Sequence, residues 1–293
     1  MRVFNLVYCS LLCTAFRAPT PYQRGGSQQH QVLASPQMMY DNVALAGQKK
    51  ASHSVSNIFK LGVISGSQIG LAAFLSVSIG GACPGLATSN PGLQKIIMGV
   101  FGLPMGLLMT LVTGAELATG NFMLVAAAYR EGLASGKSLW KSWTVSFAGN
   151  FVGSVIVALV AFHSKTLTNP ASAAIAVGKC SQPFLVTFTR GVICSYLVGI
   201  AVYMAAGVDS LEGKLAAIFF PISAFVAMGM DHCVANMFLI PLGMLRGAEV
   251  TMADFLLRNL VPTTLGNMVG CVGCVSYAFG SVFGKKKEVE ILK

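Results

Sequence analysis

The sequence predicts an all-α membrane protein with six transmembrane helices in two inverted halves, helices two and five being broken. Three observations predict it. First, 54% of the 293 residues are hydrophobic and 10% are charged, with a mean hydropathy of +0.69, whereas soluble domains carry about 25% charged residues. Second, the apolar residues gather into six long runs. Third, the polar interruption of the second run returns in the fifth. The net charge of +10 sits largely in tails and loops. Without a basic stripe interleaved with aromatics it does not point to nucleic acid.

Residues 1–57 differ from the rest. The first fifteen have a basic start (Arg2), a short apolar run and small residues, which is a signal-peptide plan too short to span a bilayer. The run Ala15-Phe-Arg-Ala-Pro19 resembles the junction of two-part plastid targeting sequences in algae with secondary plastids. Residues 20–57 are rich in Ser, Gln, Gly and Pro, with Arg24 and one acid, Asp41. They read as a transit-like segment and disordered tail. The expected organisation is therefore a targeting region at 1–57, a membrane domain at 58–284 and a basic tail at 285–293. The expected address is the plastid envelope, with the plasma membrane or another endomembrane as the alternative.

The first apolar segment, 58–81, carries Gly62, Ser65, Gly66, Ser67 and Gly70, small residues that let helices approach closely in lipid. The second, 96–129, exceeds the roughly 20 residues of one span, and the run Gly114-Ala-Glu-Leu-Ala-Thr-Gly-Asn121 breaks its centre. The third is 143–162. The fourth, 184–206, has Arg190 in its first third, expected to snorkel or to pair with an acid. The fifth, 215–245, breaks at Asp231-His232, and the sixth is 259–283. Lys49, Lys50, Lys60, Arg130, Lys137, Lys141, Lys214 and Lys285 to Lys287 outnumber Lys95, Lys165, Lys179, Arg246 and Arg258 on the other side. That bias puts both termini on the cytoplasm-like face.

Gly114, Glu116 and Asn121 recur as Gly229, Asp231 and Asn236, offset by 115 residues (231 less 116). Gly149-Asn150-Phe-Val152-Gly153 recurs as Gly266-Asn267-Met-Val269-Gly270, offset by 117 (267 less 150). Each half is thus a three-span repeat, and an odd number of spans inverts the second half. Inverted repeats with interrupted helices at matching positions mark a pathway near the midplane. The irregular backbone is tolerated where it is buried or lines a cavity. Ionisable groups at membrane depth cost about 2.5–3.5 kcal/mol each on insertion scales and usually serve a function. His232 stands out among them, because imidazole changes charge near neutral pH.

Other chemistries fit less well. Cys271 and Cys274 have redox or metal spacing, but in an apolar helix they read as small hydrophobes. A lone buried histidine without a ligand cluster or nucleophile pair argues against a metal site, a cofactor or a membrane-embedded enzyme. A neutral-solute channel of the aquaporin type would carry Asn-Pro-Ala boxes at the breaks, whereas Asn90-Pro-Gly and Asn169-Pro-Ala171 occur in loops.

Thr113-Gly-Ala-Glu-Leu-Ala-Thr-Gly120, Gly229-Met-Asp-His-Cys-Val-Ala-Asn-Met-Phe-Leu-Ile-Pro241 and Asn259-Leu-Val-Pro-Thr-Thr-Leu-Gly-Asn267 resemble the signature runs of the formate/nitrite transporter family. The resemblance spans nearly the whole membrane domain. It implies an aquaporin-like protomer in a homopentamer, with one pore per protomer. It also implies passage of small weak-acid anions with protons: nitrite or formate, and in some members lactate or hydrosulfide. By the match, His232 is the central pore histidine and Thr119 the threonine that hydrogen-bonds it. Glu116, Asp231 and Asn236 lie in the paired broken loops, and Lys179 is a vestibule lysine. Leu107, Leu117 and Ala118 form the constriction on the cytoplasm-like side, Leu103 and Phe225 the other one. Three positions depart from the family pattern. Asp231 replaces glutamate, Ala118 replaces a bulky residue, and Ser195 stands where asparagine is usual, with Gly199 replacing a cysteine nearby. The plastid address favours nitrite as substrate, with formate next.

Overall fold

The structure, a computed structural model, describes residues 33–167 and 170–285. The signal-like start, the Ala15–Pro19 junction and the tail beyond Lys285 lie outside the described residues.

The first element, α1 (Pro36–Ser52), begins where the Ser35 hydroxyl accepts the Met38 N–H at 3.3 Å. Tyr40, Val43, Ala44, Gly47 and Ala51 fall on one face and are buried. A Cβ at Gly47 would run into the Leu124 carbonyl, so only glycine lets the two backbones meet there. This corrects the expectation of a disordered tail reaching residue 57. The stripe is built mostly from small residues, and its amphipathic period is faint in the sequence.

Six crossings follow. The first is α2 (Val55–Gly80), capped by Ser54. A short loop helix, α3 (Pro84–Ser89), precedes the second crossing, which is built from α4 (Pro91–Val100), α5 (Leu103–Thr113) and α6 (Ala118–Arg130). The third is α7 (Gly136–His163). After the loop helix α8 (Ala171–Cys180) comes the fourth, α9 (Phe184–Ala205). The fifth consists of α10 (Leu211–Ala227) and α11 (Cys233–Leu245), and the sixth is α12 (Asp254–Phe283). Among the described residues, five stretches are long and apolar enough to cross a bilayer. The remaining crossing falls short because it is divided between α10 and α11.

The breaks match. Gly114 and Gly229 both take left-handed backbone, φ 72° and 73°, a region that costs other residues steric strain. A further break at Phe101 and Gly102 is not evident in the sequence. Gly102 has φ 151°, and a Cβ there would lie 2.6 Å from the Ala72 carbonyl on α2.

Packing repeats the same symmetry. In the first half α2 lies along α7, and in the second α9 lies along α12. A Cβ on Gly149 would sit 2.9 Å from the Gly62 Cα, and one on Gly266 would sit 3.0 Å from the Gly191 Cα. Lipid offers no hydrophobic drive between helices, so this backbone-to-backbone approach supplies much of their cohesion. The α12 helix is wound in π-helical hydrogen bonds over Asp254–Leu260 and Val269–Tyr277.

Outside the crossings, Glu131 ties three segments together. Its carboxylate accepts the Tyr40 hydroxyl at 2.8 Å, the Arg130 guanidinium at 2.5 Å and the Lys285 N–H at 2.9 Å. Burial alone would raise its pKa, but these donors hold it below the usual 4.5. A carboxylate with a lowered folded-state pKa stabilises the fold above its unfolded pKa, and loses that contribution as pH falls through the folded value. Glu131→Gln should therefore lower the Tm at neutral pH, with the gap to the wild type closing as pH falls below 4. A gap that persists unchanged in acid would show that packing, not charge, is what Glu131 supplies. Separately, Gly149→Val should overpack the α2–α7 contact and cost about 1–3 kcal/mol, read as reduced stability of the purified protein in detergent.

Candidate transport pathway

The two broken loops are held by the same device. In the first half, Asn150 Nδ2 donates to the Gly62 and Glu116 carbonyls at 2.8 and 2.9 Å, and Asn150 Oδ1 accepts the Ala118 N–H at 2.8 Å. In the second, Asn267 Nδ2 donates to the Gly191 and Asp231 carbonyls at 2.9 and 3.0 Å, and its Oδ1 accepts the Cys233 N–H at 2.9 Å. Each asparagine thus ties the first helix of its half to a loop carbonyl and to the first N–H of the half-helix beyond the break. All of these groups are buried, where an unmet backbone group would cost several kcal/mol.

The loop carboxylates are also paired alike. Glu116 accepts Asn121 Nδ2 at 2.6 Å, forms an ion pair with Lys50 at 3.2 Å and hydrogen-bonds His53 Nδ1 at 3.0 Å. Asp231 accepts Asn236 Nδ2 at 3.0 Å and pairs with Lys179 at 2.7 Å. Asn236 also donates to Asn259 Oδ1 at 2.8 Å, and Asn259 in turn donates to the Lys179 carbonyl at 3.0 Å. Both carboxylates are essentially fully buried, so each depends on its cation.

The symmetry ends at one position. Leu117 and His232 are repeat equivalents at the starts of α6 and α11. Leu117 caps nothing, while His232 Nδ1 accepts the Ala235 N–H at 3.1 Å. A backbone N–H can only donate, so Nδ1 carries a lone pair and the neutral ring holds its proton on Nε2. That proton faces the Thr119 hydroxyl at 3.0 Å. Phe225 stacks on the imidazole, centroids 5.9 Å apart and planes 18° apart.

Three cavities adjoin one another around this pair. A vestibule of about 460 Å³ is lined by Lys95, Lys179, Arg190, Asn236, His232, Ser76 and Gln94 among apolar residues, with no Asp or Glu in its lining among the described residues. A central chamber of about 10 Å³ is lined by Ile69, Leu103, Leu107, Leu117, Val198, Ile222, Phe225 and His232. That is room for roughly one water. A cavity of about 60 Å³ on the far side is lined by Lys50, Thr110, Asn121 and neighbouring apolar residues. Leu103, Phe225 and His232 wall both the vestibule and the chamber, and Leu107 and Leu117 wall both the chamber and the far cavity. Two apolar partitions therefore separate three compartments, and His232 reaches two of them.

The structure brings together His232, Leu103, Leu107, Leu117 and Phe225 around the chamber, with Thr119 hydrogen-bonded to His232. Asn236 and Lys179 line the vestibule, and Glu116 and Asp231 lie behind the walls as anchors. Two expected residues stand elsewhere. Ala118 is absent from the linings of these cavities, and its N–H is committed to Asn150. Ser195 is buried with its hydroxyl unpartnered among the described residues, and its carbonyl accepts Cys271 Sγ at 3.3 Å. Small residues at these positions leave their neighbours to form the walls. Lys50 and His53 were missed as partners of Glu116, because α1 lies outside the repeat and no spacing links it to residue 116. Asn150 and Asn267 were visible as a repeated pair, but not as loop clamps.

Fold and site together define a membrane transport protein in which two inverted halves enclose a partitioned pathway. The comparisons agree. The formate/nitrite transporter family model matches residues 37–280, a match that includes α1. A probable formate transporter of Methanothermobacter thermautotrophicus is 34% identical over 242 residues, covering 75% of this chain and 86% of that protein. A formate channel of Bacillus thuringiensis is 32% identical, covering 86% and 96%. Among solved structures, an ion channel of the same family superposes with a TM-score of 0.76 at 27% identity, covering 83% of this chain and 98% of that one. A pentameric formate channel with formate bound gives a TM-score of 0.66, also at 27% identity, covering 79% and 98%. The chain belongs to the formate/nitrite transporter family. It is an integral membrane transport protein, not an enzyme.

Removing one partner of a buried ion pair strands the other charge, at a cost of about 3–5 kcal/mol. Lys179→Met should destabilise the protein by that order, and adding Asp231→Asn should recover much of the loss. A double mutant no more stable than the single one would remove the pair from its anchoring role.

Proposed function

We propose that this protein is a channel for small monovalent anions of weak acids, formate and nitrite, each crossing with one proton through a separate pore in every protomer of a homopentamer. The observation that carries this reading is the arrangement of the compartments: a cation-lined vestibule, then an apolar partition, with a single imidazole exposed to both sides of it. The relatives named above are formate channels and transporters, which makes formate the first substrate to test and nitrite the second.

The mechanism follows from solvation. Lys95 and Arg190, with Lys179 balanced by Asp231 beside them, raise the concentration of anions in the vestibule. A bare anion cannot enter the space between Leu103 and Phe225 cheaply, because nothing there replaces its water. Desolvation disfavours charge, so the pKa of the anion rises as it approaches the partition and it takes up a proton. The neutral acid then passes. The chamber holds about 10 Å³, so Phe225 and the leucines must turn aside as it does.

His232 sits where the acid is most dehydrated. Donating its Nε2 proton outright would leave an imidazolate, and protonating Nδ1 first would break the cap on Ala235. The proton accordingly comes from vestibule water, and the imidazole offers a polar face inside the apolar chamber. Uptake of formate and nitrite into proteoliposomes should rise as external pH falls. In His232→Asn the rate should drop while the rise persists. Loss of the pH dependence in that variant would move the donor role to His232, and uptake that is flat with pH in the wild type would defeat the proton-coupled reading.

The basic bias places both termini on the cytoplasm-like side. The plastid envelope is the proposed location, on the strength of the Ala15–Pro19 junction. Because α1 belongs to the membrane unit, the test is a fluorescent fusion carrying residues 1–35 alone. Secretion or plasma-membrane labelling would exclude the plastid.

A further inference from the structure

Among the described residues Arg190 does not pair with an acid, one of the two roles expected of it. It lies on α9 within the first two turns, is partly buried, and lines the vestibule together with Lys179 and His232. Among the described residues its guanidinium has no ion pair and no side-chain hydrogen bond, whereas Lys179 is committed to Asp231 at 2.7 Å. Lys95, the other cation of the vestibule, is exposed. The vestibule lining holds no carboxylate that could take up Arg190. The backbone beneath it is fixed, since Gly191 packs directly on α12, where a Cβ would lie 2.8 Å from the Thr263 carbonyl. A partly buried guanidinium on a fixed stretch of backbone, unpaired among the described residues and lining the approach to the partition, can seat an anion.

Guanidinium is a planar fork whose parallel N–H bonds match two oxygens carried on one atom, a geometry an ammonium group cannot reproduce. Formate and nitrite are both planar, with two oxygens on a single central atom. Hydrosulfide and chloride carry the same charge but have no second acceptor atom. We propose that Arg190 is the specificity-determining residue of the vestibule. It seats planar two-oxygen anions bidentately ahead of the Leu103–Phe225 partition, and so favours them over single-atom acceptors of equal charge. This assignment rests on the anion-channel reading and adds to it the class of anion preferred.

The experiment compares wild type, Arg190→Lys and Arg190→Gln in proteoliposomes, measuring concentration-dependent uptake of formate, nitrite and hydrosulfide. Losing the fork while keeping the charge should reduce formate and nitrite uptake relative to hydrosulfide by about tenfold in the lysine variant. The glutamine variant should weaken all three. A formate-to-hydrosulfide ratio that stays within about twofold of wild type in the lysine variant would overturn the proposal, because the two-point contact would then be absent. If neither variant assembles, competition in the wild type decides. Acetate should inhibit formate entry more strongly than chloride at equal concentration, and equal inhibition would overturn the assignment. A wild type that carries none of these anions would overturn the anion-channel reading, and this assignment with it. That outcome is distinct from an active wild type whose selectivity ignores residue 190.

Discussion

Opening a polypeptide backbone at membrane depth exposes N–H and C=O groups that lipid cannot satisfy, and the architecture is organised around meeting that demand twice. Asn150 and Asn267 each spend a whole side-chain amide on it. Two N–H bonds hold a carbonyl of the first helix and a carbonyl of the loop, and the oxygen holds the first N–H of the half-helix beyond. No shorter side chain would reach, and no apolar one would leave the groups paired. Because the clamp joins three elements at one atom set, it also fixes where α6 and α11 start, and hence where their positive dipole ends point. The close glycine contacts of Gly62 with Gly149 and of Gly191 with Gly266 bring the clamps within range.

Below the clamps lie two carboxylates, and each half neutralises its own by a different route. Asp231 is matched by Lys179 at the end of the loop helix α8, close to its own repeat. Glu116 is matched by Lys50 and His53, which arrive from α1 and the turn after it, outside the repeat altogether. Inverted duplication therefore supplies the buried acid in both halves but not its counter-ion. The α1 helix is thereby tied to the core of the pathway, and Glu131 fastens it from the opposite end through Tyr40. The same asymmetry governs the pore itself. Leucine at position 117 and histidine at 232 occupy equivalent sites, so a nearly symmetric scaffold encloses a chemically one-sided chamber.

The partitions work by volume and polarity together. Seven apolar side chains leave about 10 Å³ beside a neutral imidazole. Such a chamber has no room for a hydrated ion, and the proposed passage of a neutral molecule requires the side chains to yield. The vestibule does the opposite, gathering charge with Lys95, Lys179 and Arg190 over an apolar floor. In the proposed mechanism, selection by charge and selection by neutrality are thus separated in space.

Much of this was legible in the residues. Hydropathy runs gave the crossings, the Gly-acid-Asn recurrence gave the inverted halves, and the isolated Asp231-His232 pair marked the centre, because each is a local pattern under a strong physical rule. Lipid demands long apolar helices, and a buried charge demands a reason. Other features depended on distance between residues far apart in the chain. The small-residue stripe of α1 carries little periodic signal, so its burial against α6 had to be seen. Ala118 sits next to Leu117 in sequence and Ser195 three residues before Val198, yet neither lines the cavities, since helix rotation decides which face is lined. Arg190 reads in the sequence as a charge that snorkels or pairs with an acid, and the vestibule shows no acid beside it among the described residues. The sequence by itself determined the class of structure and the two places where the helices break, because backbone hydrogen bonding in lipid leaves few options. Tertiary structure alone decided which side chains wall the pathway and which cation meets which acid, because those depend on the meeting of helices that no spacing along the chain encodes.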